Sequence, residues 1–226
     1  MSLARTILRP LTLVALALTL AACGNERGGP NAGQILRSIP QLVLNRKAPP
    51  PQITPQQIAE VLANTSAPVA LFQQESTKAQ FVMLQIERNG SYATFANAAR
   101  QSIVFRNGMM TASRGLGGDL MSSGSDALLR KVSSRSAGQA SYVMRFLTPE
   151  DATVAYRMTC AVTRGQSVSL DIGGGKRAGT VMSAACSGDG LEITNTFIVG
   201  SNGFILSARQ WMGPALGYIA AQYLRT

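Results

Sequence analysis

The chain contains no histidine. That absence removes Ser-His-Asp and Cys-His nucleophile arrangements together with the histidine-rich zinc sites. Lysine is scarce too: there are four in 226 residues, and none stands three positions after a serine, so an S-x-x-K catalytic pair is missing. Acidic side chains number only eleven against twenty-one Lys and Arg, for a formal charge of +10 and a pI near 10.3. Charged residues are 14% of the chain and hydrophobic ones 46%, a globular composition. Nucleotide motifs are incomplete. Gly115, Gly117 and Gly118 give G-x-G-G, but Leu120 holds the place of the third fingerprint glycine, and the Gly175-Lys176 pair is followed by Arg177. No catalytic residue, cofactor or metal is expected.

A long apolar run is also missing. The longest, from Leu11 to Ala22, is a dozen residues, whereas a membrane-crossing helix needs about 20. Arg5 and Arg9 precede it and small residues close it, the pattern of an export signal. Leu20-Ala21-Ala22-Cys23 resembles a bacterial lipobox, in which the cysteine is acylated and becomes the first mature residue. Several acyl chains on one cysteine would hold the protein to a membrane, where one alone binds marginally. Gly24 rather than aspartate follows, which by analogy with lipoprotein sorting favours the outer membrane. Removing the signal leaves nineteen basic against eleven acidic side chains, still strongly basic. An exported basic protein meets anionic lipid or acidic polysaccharide and not nucleic acid.

The expected organisation is a signal peptide over 1–22, a lipid-anchored flexible tether with a Pro-rich spacer over 23–53, and a single β-rich domain over 54–226. Thr54, Pro55 and Gln57 form a helix-start signature, with Ile58, Val61 and Leu62 on one face. Beyond Pro68 the apolar period becomes that of strands. Hairpin signals stand at Asn89-Gly90 and Asn107-Gly108, and further short strands are set apart by "TPED", "RGQ", "GGGKR", "GDG" and "SNG". This predicts a mainly β protein, an antiparallel meander forming a closed or partly open barrel-like body. A short N-terminal helix precedes it, and a C-terminal helix over "GPALGYIAAQYL" follows, with Leu216, Ile219, Ala220 and Tyr223 on its apolar face.

With Cys23 committed to lipid, Cys160 and Cys186 are an even pair in an oxidising compartment. A disulfide is expected, joining strands two apart in sequence, with two buried free thiols as the alternative. Ser122, Ser123 and Ser125 read as loop hydroxyls. Asp119, Asp126, Glu150, Asp151 and Glu192 are the carboxylates from which a glycosidase pair would be drawn, although spacing does not pair them. Arg106, Arg114, Arg130, Lys131 and Arg135 are candidate contacts for an anionic glycan.

Two blocks carry a family likeness. "RNGMMTASRGLGGDLMSS", with Gly108, Thr111, Gly115, Leu116, Asp119 and Leu120, resembles a segment of the YjbF/GfcB family of group 4 capsule polysaccharide lipoproteins. "FILSARQWMGPALGYIAAQYL" resembles that family's closing strand, with its Gln-x-x-x-Pro and final helix. The resemblance implies a periplasm-facing outer-membrane lipoprotein that assists capsule or exopolysaccharide production without catalysis, alongside other secretion proteins. The alternatives from other classes are a glycan hydrolase using a carboxylate pair and a lipid carrier with an apolar cavity.

If Cys23 is the acylated residue, Cys23→Ala will abolish incorporation of labelled palmitate and shift the protein from the membrane pellet to the soluble fraction. Unchanged labelling and sedimentation would refute that assignment.

Overall fold

A computed structural model of the chain describes residues 50–148, 152–172 and 175–226. The expected export signal, Cys23 and the tether up to residue 49 lie outside the described residues, as do Glu150 and Asp151.

Helix α1 (Pro55–Asn64) starts where its capping chemistry dictates. The Gln57 N–H donates to Thr54 Oγ1 at 3.2 Å and the Thr54 N–H donates to Gln57 Oε1 at 2.8 Å, so two orphan donors are satisfied reciprocally. At its other end Arg225 donates to the carbonyls of Leu62 and Thr65, tying the helix to the end of the chain.

Twelve strands follow among the described residues, all in one sheet. They are β1 (Val69–Gln74), β2 (Gln80–Asn89), β3 (Tyr92–Ala96), β4 (Ser102–Arg106), β5 (Met109–Arg114), β6 (Leu120–Gly124), β7 (Gly138–Leu147), β8 (Thr153–Ile172), β9 (Gly175–Gly188), β10 (Leu191–Gly200), β11 (Ile205–Trp211) and β12 (Tyr218–Arg225). The order is β5-β4-β3-β2-β1-β12-β11-β10-β9-β8-β7-β6, with antiparallel pairing throughout. The first and last strands are zipped together, and the sheet's two edges belong to the consecutive strands β5 and β6. The sheet therefore curls into a nearly closed barrel, and one cluster of inward side chains fills it. Phe95 meets Phe105 and Tyr223 edge-on at 5.2 and 5.5 Å between ring centres, within the favoured range for aromatic pairs.

The barrel-like meander and the N-terminal helix agree with the sequence reading, but the C-terminal helix does not. "YIAAQYLR" is β12, flanked by β1 and β11. Ile219, Ala221 and Tyr223 alternate into the core, a period-2 pattern that coexists in this segment with the helical spacing Leu216, Ile219, Ala220, Tyr223. Two ladders decide between them: a helix would leave the facing edges of β1 and β11 unpaired. The second helix is instead α2 (Asp126–Ser133), which buries Leu128, Leu129 and Val132. Ser122 and Ser123 lie in β6 and not in a loop, whereas Ser125 is the linking residue before α2.

Turn chemistry holds at Asn107-Gly108, where φ is +49° and +83°, as a mirror-image two-residue hairpin requires. The β2–β3 loop is one residue later than expected: Asn89 pairs with Tyr92, leaving Gly90-Ser91 as the turn. "RGQ" is no turn. Arg164, Gly165 and Gln166 stay within the long strand β8, where a register shift between Arg164 and Ser167 absorbs the irregularity.

That continuity changes the meaning of the cysteine pair. Cys160 and Cys186 are bonded and directly opposed on the neighbouring strands β8 and β9, not on strands two apart. Both are buried, between Met158 and Val162 on one strand and Ala184 on the other. The bridge staples a hairpin. Its sequence separation of 26 corresponds to about 3 kcal/mol of lost chain entropy in the unfolded state. The Cys160→Ala/Cys186→Ala variant should therefore be destabilised by about 3 kcal/mol in urea unfolding without change of fold, and an unaltered midpoint would contradict it.

Candidate functional site

Where β5 and β6 meet, the two sheet edges are joined by side chains. Asp119 is the centre of the junction: its Oδ1 accepts from Ser113 Oγ at 3.1 Å and the Leu116 N–H at 3.0 Å, and its Oδ2 accepts from the Gly115 N–H at 2.6 Å. Ser113 Oγ in turn accepts the Leu120 N–H at 3.0 Å. Arg114 reaches along the same gap, donating to the carbonyls of Leu120 at 3.1 Å and Met121 at 3.3 Å. Gly115, Gly117 and Gly118 all have positive φ, which lets the loop turn tightly enough to present those amides to one carboxylate.

The other recognisable block meets this seam from the opposite side. Gln210 on β11 is fully buried, and its amide brackets the Met110 peptide on β5. The Met110 N–H donates to Gln210 Oε1 at 2.8 Å and Gln210 Nε2 donates to the Met110 carbonyl at 3.3 Å, so a side chain replaces a strand neighbour. At the loop, any side chain on Gly118 would collide with Ala215, just after Pro214. Gly115, Gly118 and Asp119 thus form one joint at the end of β5, against the segment after Pro214, while Gln210 clasps the same strand at Met110. Thr111 is buried beside it and bonds the Val104 carbonyl. Gly108 lies at the other end of β5 against the Ile205 backbone, where a Cβ would come within 2.2 Å of a carbonyl oxygen.

Strand direction sorts the hairpin tips into two ends. The seam loop shares its end with the β7–β8, β9–β10 and β11–β12 connections. The opposite end collects the β2–β3, β4–β5, β8–β9 and β10–β11 tips, helix α2 and the end of β12. Among the described residues eight basic ones stand at that opposite end, Arg106, Arg130, Lys131 and Arg135 from the sequence-predicted set with Arg88, Lys176, Arg177 and Arg225, while Lys78, Arg100, Arg114, Arg145, Arg157 and Arg209 stand toward the seam end, where the β1–β2 and β3–β4 tips also lie. Arg114 is separated from them by the length of β5 and belongs to the seam.

Several of these cations are already engaged. Arg106 pairs with Asp126, whose hydrogen bond raises the Arg106 pKa, and lies over the Tyr92 ring. Arg135 donates to the Gly200 and Ser201 carbonyls, and Lys131 to Ala137. Lys176 and Arg177 are paired through their backbones in the β8–β9 ladder, but their side chains make no hydrogen bond or ion pair among the described residues; the sequence shows them only as a hairpin tip. Elsewhere on the barrel wall, Glu75 holds Arg209 through a two-pronged bond with Tyr218 beneath it, and that bond keeps the Glu75 carboxyl below its usual range.

Two hollows open at the basic end. The first, of 590 Å³, has Lys176, Arg177 and Arg225 on its walls with Phe204, Leu206 and Leu224 beneath. The second, of 400 Å³, adds Arg88 and Arg106 over Phe105 and Tyr223. Phe204 and Thr226 border both, and among the described residues no Asp or Glu side chain lines either.

Carboxylate chemistry is not assembled from the pair that can be placed by strand. Asp119 and Asp126 stand before and after the five-residue strand β6, so they are roughly 17 Å apart along the strand. Glycosidase pairs require about 5 to 9.5 Å. Asp119 is also saturated by its three donors. Glu192 is exposed on β10. Among the described residues no group of three or more acidic or cysteine side chains is arranged to hold a metal. Tyr142 is buried with no partner for its hydroxyl among the described residues, and burial pushes its phenol above the ordinary range.

A family model described as group 4 capsule polysaccharide lipoprotein GfcB, YjbF matches residues 35–224. No curated protein matches the chain. Among solved structures, that of the hypothetical lipoprotein YmcC from Escherichia coli (K12) is similar, with a TM-score of 0.65 at 14% identity over 88% of this chain and 98% of that one. At that identity the likeness is one of fold.

Removing either clasp of the seam strands buried polar groups. Asp119→Ala and Gln210→Leu should each cost about 1–3 kcal/mol in urea unfolding, against less than about 0.5 kcal/mol for Arg130→Ala on the exposed face of α2. Equal, small losses at all three positions would refute the clasp.

Proposed function

The chain belongs to the YjbF family of group 4 capsule polysaccharide lipoproteins, and on that premise we propose that it is a periplasm-facing outer-membrane lipoprotein assisting the production or export of capsule or exopolysaccharide. Its part is non-catalytic: it holds anionic glycan, or the secretion proteins that handle it, beside the membrane. The observation that carries this reading is the family match across nearly the whole β body. The lipobox-like Leu20-Ala21-Ala22-Cys23 supplies the anchor, and Gly24 the outer-membrane destination. Among the described residues no helix is long and apolar enough to cross a membrane.

The other classes find less support. A hydrolase needs a carboxylate pair, and Asp119 is a structural clasp while Asp126 is an ion-pair partner. A lipid carrier needs an apolar cavity, whereas the barrel interior here is occupied by Phe72, Phe95, Phe105, Phe197, Tyr142 and their neighbours.

Deleting the gene should lower surface exopolysaccharide, measured as uronate or total hexose released from washed cells, and the wild-type gene should restore it. The Cys23→Ala form should restore it poorly. Unchanged exopolysaccharide after deletion would overturn the proposed role.

A further inference from the structure

We propose that the two hollows at the basic end form one groove that binds a segment of acidic polysaccharide, with Lys176 and Arg177 as its free cationic wall. This rests on the polysaccharide role inferred above and names the site and the ligand class.

Shape comes first. Hollows of 590 and 400 Å³ fall within the range of ligand clefts, about 300–1,000 Å³. Their linings share Phe204 and Thr226, which makes the hollows neighbours, and the proposed groove runs across both.

Charge comes next. The described residues at this end carry a marked basic excess, and neither hollow has an acidic side chain in its lining. Low-dielectric walls of one sign concentrate the opposite charge in a cleft. Arg225 and Arg106 are held by helix carbonyls and by Asp126, which fixes their positions on the rim. Among the described residues the side chains of Lys176 and Arg177 form no hydrogen bond or ion pair, although Asp171 faces Lys176 across the β8–β9 ladder, so a ligand carboxylate displaces no internal side-chain bond there.

The floor selects sugar rather than a bare ion. Phe204 is half-buried and its ring packs edge-on to Tyr223 at 4.9 Å between centres, so a supported aromatic surface lies between the two lobes. A pyranose offers an apolar C–H face to such a ring while its carboxylate and hydroxyls reach Arg177, Ser201 and Asn202 on the wall. An acyl chain has nowhere to go, because the core beneath is filled by large side chains.

The test uses the full chain with polygalacturonate as probe, neutral dextran as control polymer and phosphatidylglycerol vesicles as the lipid arm. Affinity is measured at low and at physiological salt. Polygalacturonate should bind, weaken as salt rises, and lose about tenfold in affinity in Lys176→Ala/Arg177→Ala. Arg145→Ala/Arg157→Ala removes the same charge from exposed strand positions near the opposite end and should change affinity less than about twofold. Dextran should not bind. Equal losses in the two double variants, absence of polygalacturonate binding, or a groove variant that loses only vesicle binding would each overturn the proposal. In cells, normal exopolysaccharide after deletion would sink the underlying role. Loss on deletion with full rescue by Lys176→Ala/Arg177→Ala would sink the groove alone.

Discussion

An antiparallel sheet that curls without completing its last ladder leaves two rows of peptide groups to be satisfied, and here both rows belong to consecutive strands in mid-chain. Every other pairing is settled by neighbouring strands or by the β1–β12 zipper. The gap between β5 and β6 is closed by Asp119, Ser113 and Arg114, while Gln210 substitutes for a strand against Met110. Unpaired buried peptide groups are costly, so the barrel's curvature depends on these few side chains. Their demands explain the composition of the loop: small residues that reach positive φ, then one carboxylate to gather the amides.

This division of labour separates the two ends of the barrel. The seam end is committed to closure, and its Arg114 has its guanidinium on carbonyls. The opposite end carries hairpin tips whose side chains are not needed for closure, and it accumulates the basic excess. The Cys160–Cys186 bridge lies between them on the longest hairpin and stiffens the strands that carry Lys176 and Arg177 to their place. A rigid scaffold with charge presented at strand tips is a common way to combine stability with a binding surface.

Much of the fold was legible because local chemistry specified it. Thr54, Pro55 and Gln57 dictate a helix start, Asn107-Gly108 a mirror-image turn, and alternating apolar residues the strands. The errors arose where two local readings were equally satisfied. The segment after Gly217 fits both period 2 and period 3.6, and "RGQ" looks like a turn although a bulge accommodates it. Helix α2 is hard to see in the sequence because its eight residues follow a Ser/Gly run, and the structure shows it by its backbone hydrogen bonds and by the burial of Leu128, Leu129 and Val132.

The sequence by itself determined what chemistry is absent, since no fold can supply imidazole to a chain without histidine. It also determined the basic balance, the β-rich body and the lipobox-like start, all of which depend only on composition and nearest neighbours. Tertiary structure decided which residues meet: that Asp119 and Gln210, ninety-one positions apart, serve one seam, that the cysteines face each other across a single hairpin, and that Arg106, Lys176 and Arg225 share an end. Such juxtapositions follow from strand order and direction, which local propensity does not encode, because pairing partners are chosen by the closure of the whole sheet.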